Sequence, residues 1–102
     1  MSIPTSYEDF ERTLQGPEPT VHWPESLKAL WWAAKGVWER SHDIAQDLPT
    51  KTGSWIHGYL HRVEGDQWNA RYWYDRANRP FSKLSHEEEL KKIVSWVLEN
   101  PK

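Results

Sequence analysis

The chain has 102 residues, a net charge of −2 and a pI near 6.2. That is the size of one domain, without the cationic surplus that nucleic acid or an anionic membrane surface selects. Apolar residues make up only 37 %, but eight tryptophans offset the shortfall, since each aromatic ring buries roughly 150–250 Å². This aromatic load excludes a disordered chain, and the absence of cysteine excludes disulfides, thiolate catalysis and cysteine-based zinc sites.

The amino-terminal segment Met1-Ser-Ile-Pro-Thr-Ser-Tyr-Glu-Asp9 has no basic stretch followed by an apolar run, so no signal peptide is expected. No apolar stretch is long enough to span a bilayer. A soluble cytoplasmic protein is the expectation.

In chain order, a short helix is expected over 6–14, capped by Ser6, with Tyr7, Phe10 and Leu14 on one face. Gly16-Pro-Glu-Pro19 breaks it, and the chain runs extended through Val21. Pro24 suits the first turn of a second helix, whose stripe is Leu27, Leu30, Trp31 and Ala34 and whose end is Gly36. A third helix over 37–47 turns Trp38, Ser41, Ile44 and Ala45 inward and stops before Pro49. The fourth, 53–64, carries Ile56, Tyr59, Leu60 and Val63, and Gly65 closes it. Asp66 caps the fifth, 66–77, with Ala70, Trp73, Tyr74 and Ala77 in its stripe. The sixth, 85–99, opens on a capping box, Ser85-His-Glu-Glu88, and carries Leu90, Ile93, Val94 and Val97. Glu87-Glu88-Glu89 reads as favourable charge at its N-terminus. No segment alternates in the manner of a strand.

The middle of the chain repeats itself at a spacing of 29 residues: Gly36 aligns with Gly65, Ser41 with Ala70, Ala45 with Tyr74, Leu48 with Ala77, and Ala29 with Gly58. Such spacing is typical of stacked helix-turn-helix units. The pattern Gly65-x4-Ala70-x3-Tyr74-x2-Ala77 resembles the second half of a tetratricopeptide repeat, with Gly58 where that family wants a small residue. The segments Ala29–His42 and Trp55–Ala77 are also similar to a family of small bacterial and fungal proteins, a resemblance that implies a fold and no activity. Both imply an all-α domain over 1–102: N-terminal helix and linker 1–23, first hairpin 24–48, second hairpin 53–77, and capping helix 85–99. The spacing is shorter than the tetratricopeptide period, and two units are fewer than a stable array normally has.

One polar constellation competes with a purely structural reading. His57 and His61 lie one turn apart, with Glu64 on the same edge beside the apolar stripe. They occupy positions where a tetratricopeptide unit packs apolar bulk, so they need hydrogen-bond partners or a ligand. His42, Asn69 and Arg76 are candidate partners, Arg62 a candidate anion-orienting group, and Trp32, Trp55 and Trp73 candidate walls. Three readings stay open: satisfied core-edge histidines, a pocket for a small anionic or aromatic ligand, and a metal site. The last would use His57, His61 and Glu64, or His42 in place of the carboxylate, with zinc as the divalent ion. It is not a zinc-protease motif, because position 58 is glycine where that motif needs glutamate.

No catalytic residue is identified and no cofactor is required. Trp68 and Tyr72 either receive the last helix or form an exposed aromatic patch for a partner. Arg71, Arg76, Arg79 and Lys83 form a basic cluster interleaved with aromatics. The expectation for function is a non-catalytic interaction module that binds a protein, a peptide or a second copy of itself. A small-molecule or metal-binding protein centred on His57, His61 and Glu64 is the alternative, and neither nucleic acid nor a membrane is an expected partner.

Overall fold

Most helix starts fall where a short polar side chain answers free backbone N–H groups, the exceptions being the two that follow Pro24 and Val37 with no side-chain cap. In the computed structural model, which describes residues 3–100, six helices form: α1 Tyr7–Thr13, α2 Glu25–Ala34, α3 Trp38–Gln46, α4 Lys51–Val63, α5 Gln67–Arg76 and α6 His86–Glu99. There is no strand among the described residues. Ser6 accepts from Asp9 N, Asp66 from Asn69 N, and Ser85 from Glu88 N while the Glu88 carboxylate accepts from Ser85 N. α4 begins two residues earlier than its periodicity suggested because Thr50 caps it, accepting from Gly53 N at 3.0 Å. No helix among the described residues is long and apolar enough to cross a membrane.

Gly36 and Gly65 end α2 and α4 in the left-handed region, with φ of 79° and 90°. The same two backbone bonds close each turn. Gly36 N donates to Ala33 O and Val37 N to Trp32 O; Gly65 N donates to Arg62 O and Asp66 N to His61 O. This paired closure satisfies carbonyls that the helix end leaves free.

α4 is the central helix. Its residues from Gly53 to Leu60 are buried without a break, against α2, α3, α5 and α6. α5 can come close because position 58 has no side chain: a Cβ there would lie 3.2 Å from Tyr74 Cδ2 and 3.3 Å from both Ala70 O and Trp73 Cβ. α3 is held to α2 by the buried Ser41 hydroxyl, which donates to Ala29 O at 2.6 Å. Leu27, Leu30 and Trp31 of α2 join Ile56 and Leu60 of α4 and Ile93 and Val94 of α6 in the core.

Several expectations need correction. α6 does not settle on Trp68 and Tyr72; it lies against α1, α2 and α4. Its stripe of Leu90, Ile93, Val94 and Val97 is buried there, which leaves Trp68 and Tyr72 on the outer face of α5 exposed. Trp38, Ile44 and Trp73 are half-buried, and Val63, at the frayed edge of its stripe, is exposed.

Gly58→Val places branched carbons where a Cβ alone is already tight. The expected result is a loss of about 1–3 kcal/mol of stability, read as a lowered urea midpoint at unchanged slope.

Candidate functional site

His57 and His61 rise from one face of α4, their rings 4.9 Å apart and inclined by 23°. α3 delivers His42 to the same place. Its ring centroid lies 4.6 Å from that of His57 and 5.5 Å from that of His61, steeply inclined to both. The register of α3 is fixed one turn earlier, where the Trp38 indole N–H donates to Leu60 O at 2.7 Å. Trp38 then stacks on His42 at 4.7 Å and 12°. From the other side, Trp73 of α5 stacks on His57 at 3.9 Å and 12°. One ring nitrogen from each of His42, His57 and His61 falls within 4.8 Å of the other two.

The polar chemistry of this cluster is incomplete. His61 Nδ1 lies 2.7 Å from Glu64 Oε2; a carboxylate accepts, so Nδ1 donates and Nε2 is the nitrogen left for a further partner. His57 is 5 % exposed, and its Nδ1 has no hydrogen-bond partner, a costly arrangement for a buried polar atom. Burial first, then the neighbouring His42 and His61, push the His57 pKa down to about 4. Burial and His61 also lower that of His42, against a smaller opposing effect of Asp43 and Glu64. Both rings therefore present neutral lone pairs at neutral pH, as a metal requires.

His42, His57, His61, Glu64 and Trp73 thus come together as the sequence suggested, with Glu64 bracing His61 from its Nδ1 side and His42 as the third imidazole. Three other candidates do not join them. Asn69 spends its amide on Asp66, at 2.7 Å, at the start of α5. Arg76 lies over the rings of Tyr72 and Trp73, 5.9 and 5.5 Å from their centroids. Arg62 points to the opposite side of α4. The walls also differ: Trp32 packs edge-on against Trp31 beneath Arg40, and Trp55 faces α6, so Trp38 and Trp73 flank the histidines. Trp38 had a legible signal, being four residues before His42 on one helix.

The side of α4 away from the histidines carries a group that sequence reasoning assigned to the helix terminus. Glu89 is 1 % exposed. Its carboxylate accepts from Trp55 Nε1 at 3.0 Å, from Arg62 Nε at 3.0 Å, and from the Tyr74 hydroxyl, which lies 2.5 and 2.7 Å from its two oxygens. Arg62 Nη2 completes the ion pair at 2.8 Å, without the angle of a hydrogen bond. Burial, and then the hydrogen bond to Glu89, raise the pKa of Tyr74. The signal was present in the sequence: Glu89 starts the row that continues through Ile93 and Val97 on the buried face.

On the outer face of α5, Trp68 is 79 % and Tyr72 49 % exposed. The chain matches no protein-family model, no curated protein and no solved structure.

The depressed pKa of His57 sets a pH dependence of stability. The unfolded imidazole takes up a proton near its ordinary value of 6.5, while the folded one resists until about 4. Across that window the unfolded state binds more protons, so stability falls as pH falls. In chelator-containing buffer, denaturant midpoints measured between neutrality and pH 4 are expected to drop in the native chain and to flatten in His57→Gln.

Proposed function

We propose that this chain is a metal-binding helical protein that holds a zinc ion between α3 and α4 through His42, His57 and His61. The observation that carries the reading is the convergence of three imidazoles from two helices, one of them the buried His57 whose Nδ1 has no partner. Neutral imidazole suits zinc among divalent ions. A carboxylate bonded to the far nitrogen of a ligating histidine is the usual bracing arrangement, and Glu64 supplies it to His61. Zinc–nitrogen bonds of about 2.0–2.1 Å require nitrogens about 3.4 Å apart in a tetrahedral site. The ring nitrogens lie within 4.8 Å of one another, within reach of that spacing, and three imidazoles leave one coordination position to solvent or an exogenous ligand.

The scaffold of this reading is a pair of tetratricopeptide-like hairpins, α2–α3 and α4–α5. Its support is the packing of α2 on α3 and of α4 on α5, and the identical closures at Gly36 and Gly65. The metal then sits between the second helix of one hairpin and the first helix of the next.

A second reading, an interaction module for a peptide or a second copy of the chain, is favoured by Trp68, since a tryptophan 79 % exposed is characteristic of interface surfaces. Sedimentation would distinguish it: a dimer that dissociates in Trp68→Ser supports this reading, and a monomer unaffected by that change removes the self-association form of it.

Calorimetric titration with zinc tests the metal site. One equivalent is expected to bind, with affinity lost at least about 100-fold in His57→Gln or His42→Gln and reduced about 10–100-fold in Glu64→Gln. The absence of saturable binding, or equal binding by these variants, would overturn the reading.

A further inference from the structure

Across α4 from the histidines, the loop Asn78–Ser85 arches over a cavity of about 200 Å³. Trp55, Tyr74 and Phe81 wall it, Glu89 closes one side, and Arg79, Lys83 and Lys92 line it. The charge of Glu89 is already answered by Arg62. The three remaining side-chain cations form no ion pair with any carboxylate among the described residues. A cavity with three uncompensated cations and a neutralised acid favours an anion.

Arg79 adds geometry to charge. Its guanidinium stacks 3.5 Å from the centroid of Trp55 and 4.9 Å from that of Trp96. Contact with the Trp55 ring leaves the N–H groups of Arg79 available to bind an oxyanion through two parallel hydrogen bonds. The orientation is in place before a ligand arrives, because the Trp55 indole N–H is itself bonded to Glu89. Burial lowers the pKa of Arg79, against a smaller opposing effect of Glu89, which is the expected condition of a partly desolvated cation without a close counter-ion.

We infer that this cavity binds a small organic oxyanion, a carboxylate or phosphate monoester. Its acid group is held by Arg79 with Lys83 and Lys92, and its organic body occupies the space that Trp55, Pro80 and Phe81 line. A volume of about 200 Å³, well above the ~10–15 Å³ that a single water needs, leaves room for one six-membered ring with its acid group. The inference is independent of the metal site, since no residue is shared between them.

Benzoate and phenyl phosphate are the probes, followed through the indole N–H signals of Trp55 and Trp96 in ¹⁵N-labelled protein, with acetate and inorganic phosphate alongside. The expected result is saturable shifts with at least one aromatic anion. Its affinity should fall about tenfold or more in Arg79→Gln and also in Arg79→Lys, which keeps the charge and loses the fork. The remote Arg12→Gln should bind as the native chain does. Because changing Arg79 also removes a tryptophan stack, the exposed pair Lys83→Gln and Lys92→Gln provides a second arm, expected to weaken binding while leaving the fold intact by circular dichroism. No saturable shift with either aromatic probe, or unchanged affinity in both the Arg79 and the lysine variants, overturns the site. Inorganic phosphate or acetate binding as tightly as the aromatic anions overturns the assigned organic body.

Discussion

α4 is buried from Gly53 to Leu60, and each polar group it carries must be answered by a neighbouring helix, because water cannot reach it. This constraint organises the molecule. The missing side chain at Gly58 lets α5 approach, and that approach brings Trp73 onto His57 and Tyr74 onto Glu89. α3 is drawn in by the Trp38 indole bonding to Leu60 O, which sets His42 beside the other two histidines. α6 brings a carboxylate to the opposite side, where Trp55 and Arg62 need an acceptor. The two polar clusters are consequences of one helix having no solvent face over two turns.

The clusters resolve their burial differently. Around Glu89 both carboxylate oxygens are answered, by an indole, a guanidinium and a phenol, and Arg62 Nη2, which makes no hydrogen bond, is held by charge at 2.8 Å. A buried ion pair of this kind contributes little net stability over apolar packing, but removing one partner strands a charge and is strongly destabilising. It pins α4, α5 and α6 in a single register. Around the histidines the inventory does not close. His57 Nδ1 has no partner, and three basic rings crowd one another. Buried polar groups are normally answered because bare ones are costly; Trp23 Nε1 and Arg62 Nη2 are also unpartnered, but both are donors that cannot ligate a metal, so it is the unpartnered imidazole within reach of two others that favours the metal reading.

Periodic and capping signals made the helices legible. Ser6, Asp66 and the Ser85–Glu88 box were readable because each acts on its own helix start, and Gly36 and Gly65 because their conformation is demanded locally. Side-chain destinations were less legible, since they depend on which helix lies opposite. His57 and His61 were visible from spacing alone, whereas Arg62, adjacent in sequence to His61, turns to the other side of α4. Glu89 was hidden by its acidic neighbours: Glu87 and Glu88 remain at the exposed helix start, and only continuation of the row through Ile93 and Val97 distinguishes it. The Thr50 cap is less legible, because it lies between Pro49 and the polar turn Lys51-Thr52-Gly53, ahead of the apolar row that begins at Ile56. The position of Trp55 depends on α6 packing on α4, which no local signal in its own helix reveals.

Long-range ¹H–¹⁵N spectroscopy of the histidine side chains, recorded before and after one equivalent of zinc, tests the account most directly, because the five histidines report separately. The contact with Glu64 requires His61 to carry a proton on Nδ1 in the metal-free protein. Zinc should then shift one ring nitrogen in each of His42, His57 and His61 and leave His22 and His86 unchanged. A His61 protonated on Nε2 alone, or a zinc response confined to His22 and His86 or absent altogether, would contradict it.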